Sequence, residues 1–105
     1  MDGDFEAVRA ELLAAADALG ELLQRYGEQH WADWVIRDRQ RIQDGDASGI
    51  DHLLAAYGGM GSLNDVVIDP LNGHHIAAQD VRTVNKHLSQ LRSRTYTAAT
   101  RLKTG

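Results

Sequence analysis

The chain contains no cysteine, which excludes a disulfide framework and thiolate chemistry and leans toward a reducing compartment. It also has no apolar run approaching the length of a membrane span. Its N-terminus reads Met1-Asp2-Gly3-Asp4-Phe5-Glu6, acidic where a secretory signal needs a positive n-region. A cytoplasmic protein with no membrane association is therefore expected. Basic residues are in the minority, 11 Lys and Arg against 15 Asp and Glu, for a formal charge of −4. Such a surface repels phosphates, so no nucleic-acid partner is expected, whereas a basic protein partner would suit it. Internal repeats and low-complexity segments are absent.

What is present is helical periodicity. At 105 residues the chain is expected to be one domain, residues 1–105, able to bury a modest core without metal or disulfide. Phe5, Val8, Leu12, Ala15, Leu19, Leu22 and Tyr26 alternate spacings of three and four, the pattern of an amphipathic helix. Asp4 would cap its start and Gly27 its end. A second helix is expected over Glu28–Asp44, closed by Gly45, with Trp31, Trp34, Val35 and Ile42 on one face; the tryptophans are expected to be core. Arg37, Arg39 and Arg41 spread around this helix rather than forming a patch and are expected to be solvated. A third helix holds Ile50, Leu53, Leu54 and Tyr57, with Asp46 or Ser48 as its cap. Val81, Val84, Leu88, Leu91, Thr95, Ala98 and Leu102 repeat the seam of the first helix. Pairing the first and last helices buries both stripes.

Between the third and last helices lies Tyr57-Gly58-Gly59-Met60-Gly61-Ser62-Leu63-Asn64-Asp65, three glycines in four residues. This spacing predicts a tight bend, with Gly58 in the left-handed region behind Tyr57. Ser62 stands as the N-cap of a short helix with Asp65 as its acidic partner, and Leu63, Val66 and Val67 would share its buried side. Further on, Pro70 restricts Asp69 to extended backbone, and Asn72-Gly73 favours a turn. The expected fold is all-α: a single-domain bundle of four main helices plus one short helix after the glycine-rich bend.

Recognisable chemistry is sparse. The bend could offer amides to an anion, yet it lacks the lysine and spacing of a P-loop and follows no strand. His30, His52, His74, His75 and His87 form no known ligand spacing, so neither a metal nor another cofactor is expected. Adjacent His74 and His75 read as solvated loop residues. Ser62 lacks the Gly-x-Ser-x-Gly frame of a nucleophile elbow. No catalytic residue is expected, and the chain is not expected to be an enzyme.

The segments His30-Trp31-Ala32-Asp33-Trp34, Gly45-Asp46, Gly49-Ile50, His52-Leu53-Leu54 and Tyr57 to Asp65, with a weaker echo in Leu91-Arg92-Ser93, resemble a family of small bacterial proteins known only as a domain of unknown function. The resemblance spans roughly residues 28–68. It implies a bacterial origin and lends no activity, ligand or catalytic residue. It also singles out residues that bundle packing alone would not demand, so His30, Trp31, Trp34, His52, Tyr57, Gly59, Met60, Asn64 and Asp65 are expected to form a binding corner or shallow pocket. The favoured function is non-catalytic binding of a protein partner, as by an immunity protein or antitoxin masking a basic toxin. A small-molecule or anion-binding protein, using the bend with His30, His52, Asn64 and Asp65, is the alternative. A structural homodimer paired through the terminal seams is another.

Overall fold

The computed structural model describes residues 2–104, with side chains from residue 4 onward. It is an all-α single domain: α1 (Asp2–Arg25), α2 (Gln29–Gln43), α3 (Ser48–Ala55) and α4 (Val81–Thr104), with no strand among the described residues. Among the described residues, no helix is long and apolar enough to cross a membrane. Helix α1 lies at the centre, packed on α4 along one side and on α2 along another, while α3 bridges α2 and α4. Leu12, Leu19 and Leu23 of α1 are fully buried with Val35 of α2, Leu53 of α3 and Leu88 and Leu91 of α4. Each such side chain contributes about 2 kcal/mol when removed from water. The stripes of α1 and α4 face each other within the chain, α1 packing also on α2, and Phe5 at the start of the α1 stripe stays half exposed.

The helical corners follow from local chemistry. Gly27 and Gly45 have φ of 87° and 83°. The amide after each glycine bonds the carbonyl five residues back, Glu28 to Leu23 and Asp46 to Arg41, both at 2.8 Å. This closes the last turn with otherwise orphaned carbonyls satisfied. Arg9 adds a further tie by donating from α1 to the Gln43 carbonyl at 2.9 Å. The start of α1 differs from expectation: the helix already includes Asp4, which sits in the first turn rather than capping it. Asp46, outside α3, accepts from the Ser48 amide at 3.0 Å and its hydroxyl at 2.6 Å. Those bonds hold the Asp46 carboxyl below its ordinary range.

Two small residues set helix spacing. A Cβ on Gly49 would lie 2.8 Å from Arg41 Cβ and 2.9 Å from the Asp38 carbonyl oxygen, so α2 and α3 cross in near contact there. A Cβ on Gly20 would stand 2.8 Å from Ile36 Cγ1, where α1 meets α2.

The glycine-rich bend corrects three expectations. Helix α3 ends at Ala55, two residues before Tyr57, and the left-handed positions are Gly59 and Gly61, not Gly58. The short helix is a single 3-10 turn, Leu63–Asp65, after which Val66 turns extended at φ −68°, ψ 127°. One turn cannot align Leu63, Val66 and Val67 on one face. Leu63 and Ile68 are buried instead, and Val67 is half exposed. Similar turns follow at Pro70–Asn72 and Ala78–Asp80.

Helix α4 fastens this irregular segment. Asn85 Oδ1 accepts from the Ile68 amide at 2.8 Å, and its Nδ2 donates to the Ile68 carbonyl at 2.8 Å and the Val81 carbonyl at 2.7 Å. Two turns on, Arg92 Nη1 donates to the carbonyls of Leu63 at 3.0 Å and Val66 at 2.9 Å. Burial pulls the Arg92 guanidinium down from its ordinary value, opposed by Tyr57 and Asp65 nearby.

Two outcomes test this architecture. Gly49→Ala should destabilise the domain by about 1–3 kcal/mol through overpacking, lowering Tm by several degrees; an unchanged Tm would mean that α2 and α3 do not approach so closely. Asn85→Asp should cost more than Asn85→Ser, because it sets a carboxylate against two carbonyls. Denaturant midpoints for the two variants check that order.

Candidate functional site

The predicted residues fall into three connected places rather than one pocket. On the exposed side of α2, rings run in sequence: His30 against Trp31 at 4.6 Å between centroids, Trp31 against Trp34 at 5.1 Å, and Trp34 stacked on His52 of α3 at 4.2 Å and 13°. The tryptophans are therefore half-buried and cover the core without entering it. The indole explains why: Trp34 Nε1 donates to the His52 carbonyl at 3.0 Å, a bond available only at the edge where α3 ends its turn over α2.

Under this stack lies a residue that the sequence reading passed over. Asp38 is 0% exposed, and its two carboxylate oxygens are divided between Arg41 Nη1 at 2.9 Å and His52 Nδ1 at 2.6 Å. A buried carboxylate is tolerated when both oxygens are paired, as here. Its sequence signal was an aspartate on the apolar stripe, four residues before Ile42 and three after Val35. Arg41 is accordingly an ion-pair partner rather than a solvated arginine. Arg39, expected to be solvated, is also half-buried and lies 3.8 Å from Asp17 of α1.

The second place is a cleft of about 310 Å³ between the start of α2 and the bend. Glu28 and Trp31 form one wall, Gly61, Ser62 and Asp65 another, and His74 stands at the end. Asp65 Oδ2 accepts from the Gly61 amide at 2.7 Å, so a carboxylate of the chain already occupies the position an anion would take at the bend. Ser62 holds the N-cap backbone position but makes no capping bond; it is 5% exposed, and its Oγ has no partner.

His74 is a structural member of the wall, not a solvated loop residue. Its Nδ1 accepts from the Asp69 amide at 3.1 Å, which fixes the ring as the tautomer with the proton on Nε2. That Nε2 then donates to Glu28 Oε1 at 3.0 Å. His75 remains exposed, with its amide bonded to the Tyr26 carbonyl at 3.1 Å.

Tyr57 and Asn64 face a third, smaller recess with Arg92 and Tyr96. Tyr57 donates its hydroxyl to the Arg92 carbonyl at 2.9 Å, and Asn64 Nδ2 donates to the Tyr57 carbonyl at 3.3 Å. Burial pushes the Tyr57 phenol up from its ordinary value against the pull of the Arg92 guanidinium. Gly59 is exposed and Met60 is fully exposed at the tip of the bend. Among the described residues, no group of three or more His, Asp or Glu side chains is placed to hold a metal ion.

Asp38→Ala should cost about 1–2 kcal/mol, since Arg41 and His52 lose their acceptor and a small gap is left, while both side chains still reach water. Trp34 emission should shift to longer wavelength as the His52 stack loosens. Retained emission together with lowered stability would separate the ion pair from the stack.

The geometry coincides with a stretch shared by other proteins. A family described as a domain of unknown function (DUF6966) matches residues 24–77, from the last turn of α1 through both corners and the bend. No curated protein and no solved structure matches the chain. The match covers just over half the chain and includes both walls of the cleft, and the protein belongs to the DUF6966 family.

Proposed function

We propose that this chain is a non-catalytic protein-binding module of the bacterial cytoplasm that covers a basic surface on a protein partner, in the manner of an immunity protein or antitoxin. The observation that carries the reading is where the charge lies. Residues 42–81 hold Asp44, Asp46, Asp51, Asp65, Asp69 and Asp80 and no lysine or arginine, whereas the remaining residues have a slight basic excess. Among the described residues, only Asp51 of these six is paired with a cation, Lys103 at 2.9 Å. The α2–α3 corner and the segment beyond α3 thus present concentrated negative charge.

Apolar side chains stand in the same segment. Met60 is fully exposed and Leu71 is 94% exposed, each at the tip of a turn held by side-chain bonds from Asp65 or Asp69 to the backbone. Apolar tips amid acidic residues match the anatomy of a binding surface, in which apolar anchors give affinity and charge gives partner choice. The lack of cysteine suits a cytoplasmic setting.

Capture of the tagged chain from host lysate, repeated over rising salt, tests the reading. One basic protein in stoichiometric yield is expected, released by salt and reduced about tenfold or more by Met60→Glu or Leu71→Glu, while both variants keep the parent Tm. Capture insensitive to salt and to both substitutions would overturn it.

A further inference from the structure

The cleft beside the bend has the donor set of a cation site. From its geometry we infer that it takes up an alkylguanidinium group, and, resting on the protein-binding reading above, that an arginine side chain of the partner supplies it. Glu28, just before α2, and Asp65, on the bend, both line it, and neither Lys nor Arg does. Each carboxylate commits one oxygen to the scaffold, Glu28 Oε1 to His74 and Asp65 Oδ2 to the Gly61 amide. Among the described residues, the other oxygen of each has no hydrogen-bond partner. Fixed carboxylates with a free oxygen apiece are suited to the divergent N–H groups of a guanidinium.

Two further features distinguish this cleft from a chance acidic cluster. Ser62 lines it while 95% shielded from solvent, and its Oγ finds no hydrogen-bond partner. A hydroxyl left in that state is costly, and because the Oγ itself is closed off from solvent, a ligand N–H in the cleft satisfies it once the Ser62 side chain turns toward the space. Trp31 supplies an aromatic wall, on which a planar cation stacks more favourably than a compact ammonium does. Arg92 lies behind the turn with its guanidinium bonded to the Leu63 and Val66 carbonyls, and Asp65 acts on it through space without a direct ion pair. The volume, about 310 Å³, is at the small end of ligand clefts and suits one side chain.

The test is an NMR titration of the full chain at constant ionic strength with Nα-acetyl-L-arginine amide. Saturable shifts are expected at the Trp31 indole and at the amides of Gly61, Ser62 and Asp65, with Kd on the order of millimolar for one charged group in an open cleft. Nα-acetyl-L-norleucine amide should produce none. Glu28→Gln and Asp65→Asn keep an acceptor for His74 and Gly61, so both should fold with the parent Tm while weakening binding about tenfold each. Binding undiminished in both variants, shifts that never saturate, or equal affinity for the lysine analogue would overturn the assignment.

Capture with the Glu28→Gln, Asp65→Asn double variant separates the sources of the guanidinium. Lost capture assigns it to the partner protein. Undiminished capture, with agmatine binding the parent chain as tightly as the arginine amide, assigns it to a free guanidine and overturns the partner assignment. Arginine-amide binding without any captured protein would leave the cation cleft standing and remove the protein-binding reading. A captured protein with no arginine-amide binding would do the reverse.

Discussion

Between Ala55 and Val81 the chain has only three isolated 3-10 turns, and the backbone there must still find partners for its amides and carbonyls. Two side chains of α4 supply the decisive ones. Asn85 pairs with both backbone groups of Ile68, much as a neighbouring strand would, and Arg92 collects the carbonyls on either side of the Leu63–Asp65 turn. With these bonds in place Leu63 and Ile68 can be driven into the core. The acidic surface, the apolar tips and the cleft all depend on that anchoring.

This dependence explains which parts could be read from sequence. The four helices and the corners at Gly27 and Gly45 were legible because apolar spacing and glycine act within a few residues; the caps read at Asp4 and Ser62 and at Asp46 or Ser48 were not, since none of these side chains caps its helix. The interior of the bend was not. A three-residue turn leaves no periodic trace, and the side chains that shape it come from 17 to 29 residues away. Asn85 and Arg92 look like ordinary polar residues of an amphipathic helix until the facing backbone is known. Asp38 lay between these cases: its position on the apolar stripe of α2 was visible, but the His52 and Arg41 that justify it came from the fold.

The predicted site residues were brought near one another but given different work. Trp34 and His52 roof a buried carboxylate; Tyr57 and Asn64 brace the bend against α4; Trp31 and Asp65 are left facing open space. The aromatic pair that suggested core therefore ended at its edge, because an indole N–H needs an acceptor and the His52 carbonyl offers one there.

Gly27 joins one wall of the cleft to its His74 end. Its positive φ ends α1 and delivers Glu28 and Trp31, and its missing side chain leaves room for the His75 ring, which a Cβ would meet at 3.2 Å. The chain arriving at His75 is bonded to Tyr26, immediately before the glycine. One helix corner thus sets the position of the α2 wall and of the His74 end together, while Arg92 of α4 holds the bend that forms the other wall. A group that enters finds the space already ordered, so little conformational entropy is lost on association, and even a small contact can persist.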